Sequence, residues 1–313
     1  MSKLLITGGT GFFGKNVLNY ILTNEKYFAE FSEIIVLTRR DSQVFLNQYP
    51  EFNHSKITFI QSDVRNFEYN KNDLAYILHL ATDASKDLND NHPEEMMDVI
   101  IDGTKNILKI AANQINLKQL LFASSGAVYG NIPEDLAGGV QEFQRFDLDF
   151  NNPINAYAQA KRTAEMMCAI YKERHHLPII IARCFAFYGE YFPTDRHFAI
   201  HDFMQQAKEH KKIVIHSDGL TKRSYMHSTD LAKVLLDLLN IKVSDEYIFN
   251  VGSADGKTLK EWAYEIADNI GDIEVQILNK PQIGYSATKN YVPNISALQN
   301  ILPDFRPRKI ELV

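Results

Sequence analysis

Tyr157 and Lys161 stand four positions apart in the run Asn155-Ala156-Tyr157-Ala158-Gln159-Ala160-Lys161. On a helix that spacing puts both side chains on one face, one above the other. The pairing answers a chemical need. A phenol that titrates near ~10 is a poor proton donor or acceptor at neutral pH until a cation stabilises its anion. The Lys161 ammonium can lower the phenol's pKa, and from the same place it can reach the hydroxyls of a bound ribose. Tyr-x-x-x-Lys also arises by chance on surface helices, so its meaning depends on what the chain places around it.

The elements that would position the pair begin at the N-terminus. Residues 3–7 (Lys-Leu-Leu-Ile-Thr) read as a short buried strand, followed at once by Gly8-Gly9-Thr10-Gly11-Phe12-Phe13-Gly14. A helix with apolar period through Val17, Leu18, Ile21 and Leu22 comes next. Strand, glycine-rich turn and helix form a phosphate-binding context, because the glycines let backbone approach a pyrophosphate and the helix start favours its charge. A tight turn without a ligand is the plainer reading. The second strand, Glu33 to Leu37, ends in Thr38-Arg39-Arg40. An acid at this place would hold the adenosine ribose hydroxyls, whereas arginine accepts a 2′-phosphate. The expectation is therefore NADP, with NAD as the alternative; the plainer reading leaves both arginines on a solvated loop.

The third strand, Ile57 to Gln61, leads to Asp63-Val64, placed to meet an adenine ring. The fourth, Tyr76 to Ala81, brings Leu80, Ala81 and Thr82 to the carboxyl edge of the sheet, where ligands bind in open α/β folds. His79 lies inside this apolar run and reads as a core histidine. Asp87, Asp90, Glu94, Glu95 and Asp98 read as a solvated face, and no metal is expected. A helix follows from about Pro93 to Ile115, with proline suited to its first turn. The fifth strand, Gln119 to Ala123, runs into Ser124-Ser125-Gly126-Ala127-Val128-Tyr129-Gly130. Hydroxyls there lie where a reacting carbonyl would sit. The long loop from Asn131 to Asn155 is suited to folding over a substrate. Pro178 to Arg183 is a further buried strand.

Strands alternating with helices predict an α/β fold with a Rossmann-type doubly wound parallel sheet. After Gly189 the alternation is lost. The predicted division is a dinucleotide-binding domain, 1–183 plus about 225–251, and a smaller C-terminal substrate-binding cap, 184–224 and 252–313.

Composition narrows the class. The 313 residues are 45% hydrophobic and 23% charged, as in soluble globular proteins. A net charge of −6 argues against a nucleic-acid partner. Cys168 and Cys184 sit in separate elements and suggest neither a disulfide framework nor a zinc site. The opening Met-Ser-Lys runs straight into the first strand, leaving no room for a signal peptide. No apolar run approaches the ~18 residues of a membrane span. The expectation is a cytoplasmic enzyme.

Together TGGTGFFG, Asp63-Val64, His79-Leu80-Ala81, SSGAVYG, Tyr157-x-x-x-Lys161, Arg183 with Tyr188-Gly189, and Arg223-Ser-Tyr-Met-His resemble the extended short-chain dehydrogenase/reductase family. The similarity is to its nucleotide-sugar epimerases, dehydratases and 4-keto-sugar reductases. The resemblance implies Tyr157 as general acid/base and Lys161 as its pKa-lowering partner and a ribose ligand. It implies Ser125, beside Gly126, as a hydrogen-bond partner of the reacting sugar oxygen. By the same resemblance Ala123 lies at the cofactor, Phe185 beside the nicotinamide, and Arg223 on the sugar donor's diphosphate or nucleoside. A homodimer is implied as well.

The departures narrow the reaction. The 4,6-dehydratases of the family carry an Asp-Glu pair just after the active-site hydroxyl, where this chain has Gly126 and Ala127, so a dehydratase is disfavoured. Ile100 and Ala186 stand where many relatives carry asparagine, which argues against the geometry of a UDP-galactose-type epimerase. The leading expectation is reduction of a nucleotide-linked 4-keto-6-deoxy sugar at C4, with hydride from NADPH and a proton from Tyr157. The alternative is an NAD-dependent 4-epimerase. A non-catalytic cofactor sensor is disfavoured by the presence of both Tyr157 and Lys161.

Overall fold

The computed structural model describes residues 2–82, 86–193, 198–242, 246–279 and 289–310. Strand and helix alternate through β1 (Ser2–Thr7), α1 (Phe12–Thr23), α2 (Glu25–Glu30), β2 (Phe31–Thr38), α3 (Ser42–Gln48), β3 (Ile57–Gln61) and β4 (Leu74–His79). The series continues with α4 (Lys86–Asn91), α5 (Pro93–Ala112), β5 (Gln119–Ser125), α6 (Ala156–His175) and β6 (Ile179–Cys184). β4, β5 and β6 are buried along their whole length, as strands covered on both faces must be.

A seven-stranded sheet runs in the order Ile248–Val251, β6, β5, β4, β1, β2, β3. The pairs β1–β2, β1–β4, β2–β3 and β4–β5 are parallel. From β1 the chain steps outward to β2 and β3, then returns to β4 on the other side. That reversal makes the carboxyl ends of β1 and β4 a topological switch point, the crevice where open α/β sheets bind ligands. The fold is the Rossmann-type sheet expected from the sequence.

Among the boundaries that differ from the sequence reading, two at the carboxyl edge have a local reason. β4 stops at His79 because the Thr7 hydroxyl takes the amides of Leu80 and Ala81 (3.1 and 3.0 Å). β5 carries on to Ser125, so both serines belong to the strand. On one face of the sheet, Ile100, Ile107 and Leu108 of α5 share a core with Ala160, Ala164 and Cys168 of α6. The small residues recur every four positions, which lets the two helices approach closely.

The chain divides into two compact units. The first comprises Met1–Val128, Asp149–Arg183 and Leu231–Phe249; the second comprises Tyr129–Leu148, Cys184–Asp230 and Asn250–Val313. Tyr129–Leu148, grouped above with the first domain, is stitched to the second unit by a buried amide. Asn250 accepts from the Tyr129 hydroxyl (2.6 Å) and donates to the Val140 carbonyl (2.8 Å). The second unit has its own core, in which Ile200, Phe203 and Ala207 of one helix meet Ala263 and Ile266 of another, around Trp262. Among the described residues no helix is long and apolar enough to cross a membrane.

Candidate active site

The glycine turn is built for close approach. Gly8 has φ +70°, and a Cβ there would lie 2.9 Å from the Ala81 backbone, so glycine is required on two counts. A Cβ on Gly14 would sit 2.3 Å from Gly9 Cα. α1 starts with Gly11 as its N-cap, without a capping side chain and without an acid in its first turn. The positive end of the helix dipole is thus not neutralised by its own helix, and the turn fits a pyrophosphate. Thr10 is buried, while Phe12 and Phe13 are half-buried in the first turn of α1.

At the end of β2 stands a hydroxyl, as the sequence predicts, and not an acid. Thr38 is 3% exposed and hydrogen-bonds Thr10 side chain to side chain (2.8 Å), and it accepts from the Arg40 amide (3.1 Å). Arg39 and Arg40 are exposed. Asp63 is engaged by Arg65 through Nε (2.9 Å) and Nη2 (2.8 Å). Those bonds hold its carboxyl below the usual range, and the charge of Arg39 adds to the effect. Val64 is buried beneath α5, where a Cβ on Gly103 would lie 2.7 Å from its methyl.

Lys161 joins the ends of two strands. Its ammonium donates to Thr82 Oγ1 (2.8 Å) and to the Ala123 carbonyl (2.7 Å), and the residue is 1% exposed. It lies 6.0 Å from the centroid of the Tyr157 ring, so the two side chains share one face of the helix. Tyr157 is half-buried. Ser125 is buried at the end of β5 and accepts from the Ala127 amide (3.2 Å). The turn after it is fixed by Arg162, which donates to the Val128 carbonyl (2.7 Å). Leu80 is buried and Ala81 half-buried between the Thr7 hydroxyl and Thr82. The structure therefore gathers Thr82, Ala123, Ser125, Tyr157 and Lys161 around the ends of β4 and β5. The glycine turn, β1 and β4 form the adjoining cradle.

Three supports were not foreseen from the sequence. Asn89 of α4 accepts from the Tyr157 amide (3.4 Å) and donates to the Ile154 carbonyl (3.3 Å), satisfying the start of α6 where Asn155 supplies no side-chain cap. His79, 2% exposed, lies between Thr7 (Nδ1, 2.7 Å) and Thr104 (Nε2, 3.1 Å). The Thr7 oxygen already accepts two amides, so its proton goes to Nδ1 and the ring carries its own hydrogen on Nε2. Burial, with the Lys161 charge nearby, lowers the His79 pKa to about 3. Finally, Glu165 accepts from Ser124 (2.6 Å) and is held at both oxygens by Arg183 of β6 (2.9 and 2.6 Å). Its i+4 spacing from Lys161 was visible in the sequence; its partners were not.

Two expected residues belong to the second unit. Phe185 is buried, its ring 4.7 Å from that of Tyr291. The Arg223 guanidinium lies 5.5 Å over the same Tyr291 ring, and its carbonyl accepts from Trp262 Nε1 (2.9 Å). Asp90, Glu94, Glu95 and Asp98 are exposed, and the Asp87 side chain lies outside the described residues. Among the described residues no group of three His, Cys, Asp or Glu is arranged to hold a metal ion.

With this geometry in place, the model of the NAD-dependent epimerase/dehydratase family matches residues 4–252. The chain belongs to that family. Within this family, the mouse dTDP-D-glucose 4,6-dehydratase is 26% identical over 291 residues, covering 90% of this chain and 77% of its own. UDP-glucuronic acid decarboxylase 3 of Arabidopsis thaliana is 26% identical, covering 96% and 83%. The fold matches UDP-N-acetylglucosamine 4-epimerase from Methanobrevibacter ruminantium M1, with a TM-score of 0.78 at 24% identity over 98% of this chain and 93% of that one. It also matches the dTDP-glucose 4,6-dehydratase of Bacillus anthracis in complex with NAD, with a TM-score of 0.77 at 22% identity over 99% and 92%. For an epimerase/dehydratase family member, the glycine cradle, the Lys161 ammonium and the edge of β4 are the groups that would hold a nicotinamide dinucleotide.

Proposed function

We propose that this chain is a nucleotide-sugar oxidoreductase that reduces an NDP-4-keto-6-deoxy sugar at C4 with NADPH. The observation that carries this reading is the end of β2, where Thr38 is sealed to Thr10 and followed by exposed Arg39 and Arg40. The acids nearby are already engaged: Asp63 is held by Arg65, and Asp41, next to Arg40, caps α3 by accepting from the Val44 amide. A cofactor drawn from the NADPH pool favours net reduction over the closed cycle of an epimerase.

When bound, the nicotinamide supplies the hydride. The chain's own residues handle the proton. Tyr157 gives its phenolic proton to the oxygen that gains charge at C4, and the Lys161 ammonium stabilises the phenolate left behind. Ser125 donates to the same oxygen. Gly126 and Ala127 offer no carboxylate for proton work across the neighbouring bond, so this reading parts from the relatives named dehydratases. Arg223, in the second unit, is the proposed contact for the diphosphate or nucleoside.

The test incubates purified protein with UDP- and dTDP-linked 4-keto-6-deoxy sugars and follows NADPH. Stoichiometric consumption supports the reading. Turnover of UDP- or dTDP-hexoses without added cofactor overturns it in favour of a 4-epimerase. Tyr157→Phe is expected to abolish turnover while cofactor still binds; unchanged turnover would remove Tyr157 from its role.

A further inference from the structure

One turn beyond Lys161, on the same face of α6, the structure places a carboxylate. Lys161 and Glu165 reach adjacent residues of β5, the ammonium to the Ala123 carbonyl and the carboxylate to the Ser124 hydroxyl. The two charged ends therefore meet neighbouring residues of the same strand, one helical turn apart on α6. Left to itself, Glu165 would serve as counter-ion to Lys161 and draw its positive potential away from Tyr157. Arg183 stands on the far side. Its side chain is 2% exposed, that of Glu165 11%, and the guanidinium grips both carboxylate oxygens. Such two-point pairing fixes orientation as well as charge.

We propose that Arg183 is a positioning residue for the Tyr157–Lys161 pair: it neutralises Glu165, so that the Lys161 ammonium acts on the phenol above it. The pairing makes the middle of α6 electrically quiet while keeping the helix pinned to β5 and β6. This inference deepens the proton-handling role assigned to Tyr157 and rests on it.

The other titratable groups packed here do not supply the same control. His79, from β4, is held neutral by burial. The Cys168 thiol, on α6, is pushed up by burial, with the opposing charges of Glu165 and Lys161 acting on it. Tyr247, which precedes the outermost strand, is also raised by burial, and it too registers Glu165 and Arg183 with opposite sign. Arg162 donates to the Val128 carbonyl and carries the same charge in every variant compared below. Glu165 and Arg183 thus enter the surrounding field as a compensating pair.

The experiment measures ionisation of Tyr157 in the unliganded protein, by ultraviolet difference titration against a matched Tyr157→Phe background. Arg183→Met exposes the Glu165 charge and is expected to raise the phenol pKa by roughly 1 unit. Glu165→Gln, near-isosteric, leaves the Arg183 charge and is expected to lower it. The double variant Glu165→Gln/Arg183→Met should return to within about 0.3 unit of wild type. The alkaline limb of kcat/KM should follow each shift. Opposite signs in the single variants with restoration in the double establish the electrostatic role. Shifts of the same sign, or a double variant no better than Arg183→Met, would reduce the pair to a structural tie. If Arg183→Met does not fold, the sign of the Glu165→Gln shift decides. Phenol shifts as expected without any sugar turnover would sink the proposed reaction and leave this inference standing; turnover with an unmoved phenol would do the reverse.

Discussion

His79 makes the stability of this protein depend on pH in a window where a surface histidine would not. Its folded pKa is lowered to about 3 by burial and by the Lys161 charge, against an ordinary value of 6.5. Between those two values the unfolded chain binds a proton that the folded chain refuses. Stability therefore falls as pH falls from about 6.5, by about 1.36 kcal/mol per unit, and levels off below the folded value. From about pH 7.5 to about pH 4.5 the loss assigned to this one residue is about 2.7 kcal/mol. Protonation would also place a second ring hydrogen against the Thr7 hydroxyl, which already points its own proton at Nδ1. The assay is urea unfolding of wild type and His79→Gln across this pH range, compared by the slope of ΔG against pH. Carboxylates contribute to both proteins and cancel in the difference. The glutamine variant starts lower by about 1–3 kcal/mol, having lost a buried partner, and that offset does not enter the slope. Parallel slopes would refute the reasoning, for they would mean that no proton is taken up at this position on unfolding.

Arg39→Ala is expected to weaken NADPH binding by roughly 10- to 100-fold and NADH binding little, as loss of a charge-assisted bond to a 2′-phosphate requires; equal losses in isothermal titration would remove the NADP assignment. Lys161→Met should lower turnover by roughly 100-fold or more and move the alkaline limb of the rate profile upward, since the phenolate loses its cation; a profile of unchanged shape would deny Lys161 that role. Gly14→Ala places a methyl 2.3 Å from Gly9 Cα, so destabilisation of at least about 1–3 kcal/mol is expected in thermal or urea unfolding. A stable Gly14→Ala protein would mean that the turn and α1 are free to separate.

The candidate site was legible in the sequence where its signals are local. A buried apolar strand, a glycine turn and a periodic helix are each written in a few consecutive residues, and Tyr157 with Lys161 is a spacing on one element. Illegible was whatever required a second element to be in place. Thr7 reads as the last residue of a strand, yet its hydroxyl ends β4 and fixes the ring of His79. Asn89 sits within a polar stretch that reads as solvated, yet it is buried and supports the amide of Tyr157. The segment Tyr129–Leu148 follows a motif of the first domain directly, and residues more than a hundred positions on, Asn250, Asn290 and Asn294, tie it to the second unit instead.

The residues that hold α6 share a physical logic, and it bears on the role proposed for Tyr157. A general acid loses efficiency if its helix slides or rolls by a fraction of a turn, since proton transfer needs hydrogen-bond distance. α6 has a small-residue face of Ala160, Ala164 and Cys168 against α5, which favours close packing but offers few large knobs to fix its register. Register is supplied instead by polar ties at three heights, each contributed from outside the helix. Asn89 holds the first turn, Thr82 and Ala123 hold Lys161, and Ser124 with Arg183 holds Glu165. The ties advance by four residues at a time, the repeat that keeps them on one face. A helix fastened in this way keeps the phenol in one orientation at the edge of the sheet, so the proton delivery proposed for Tyr157 does not wait on the helix finding its place.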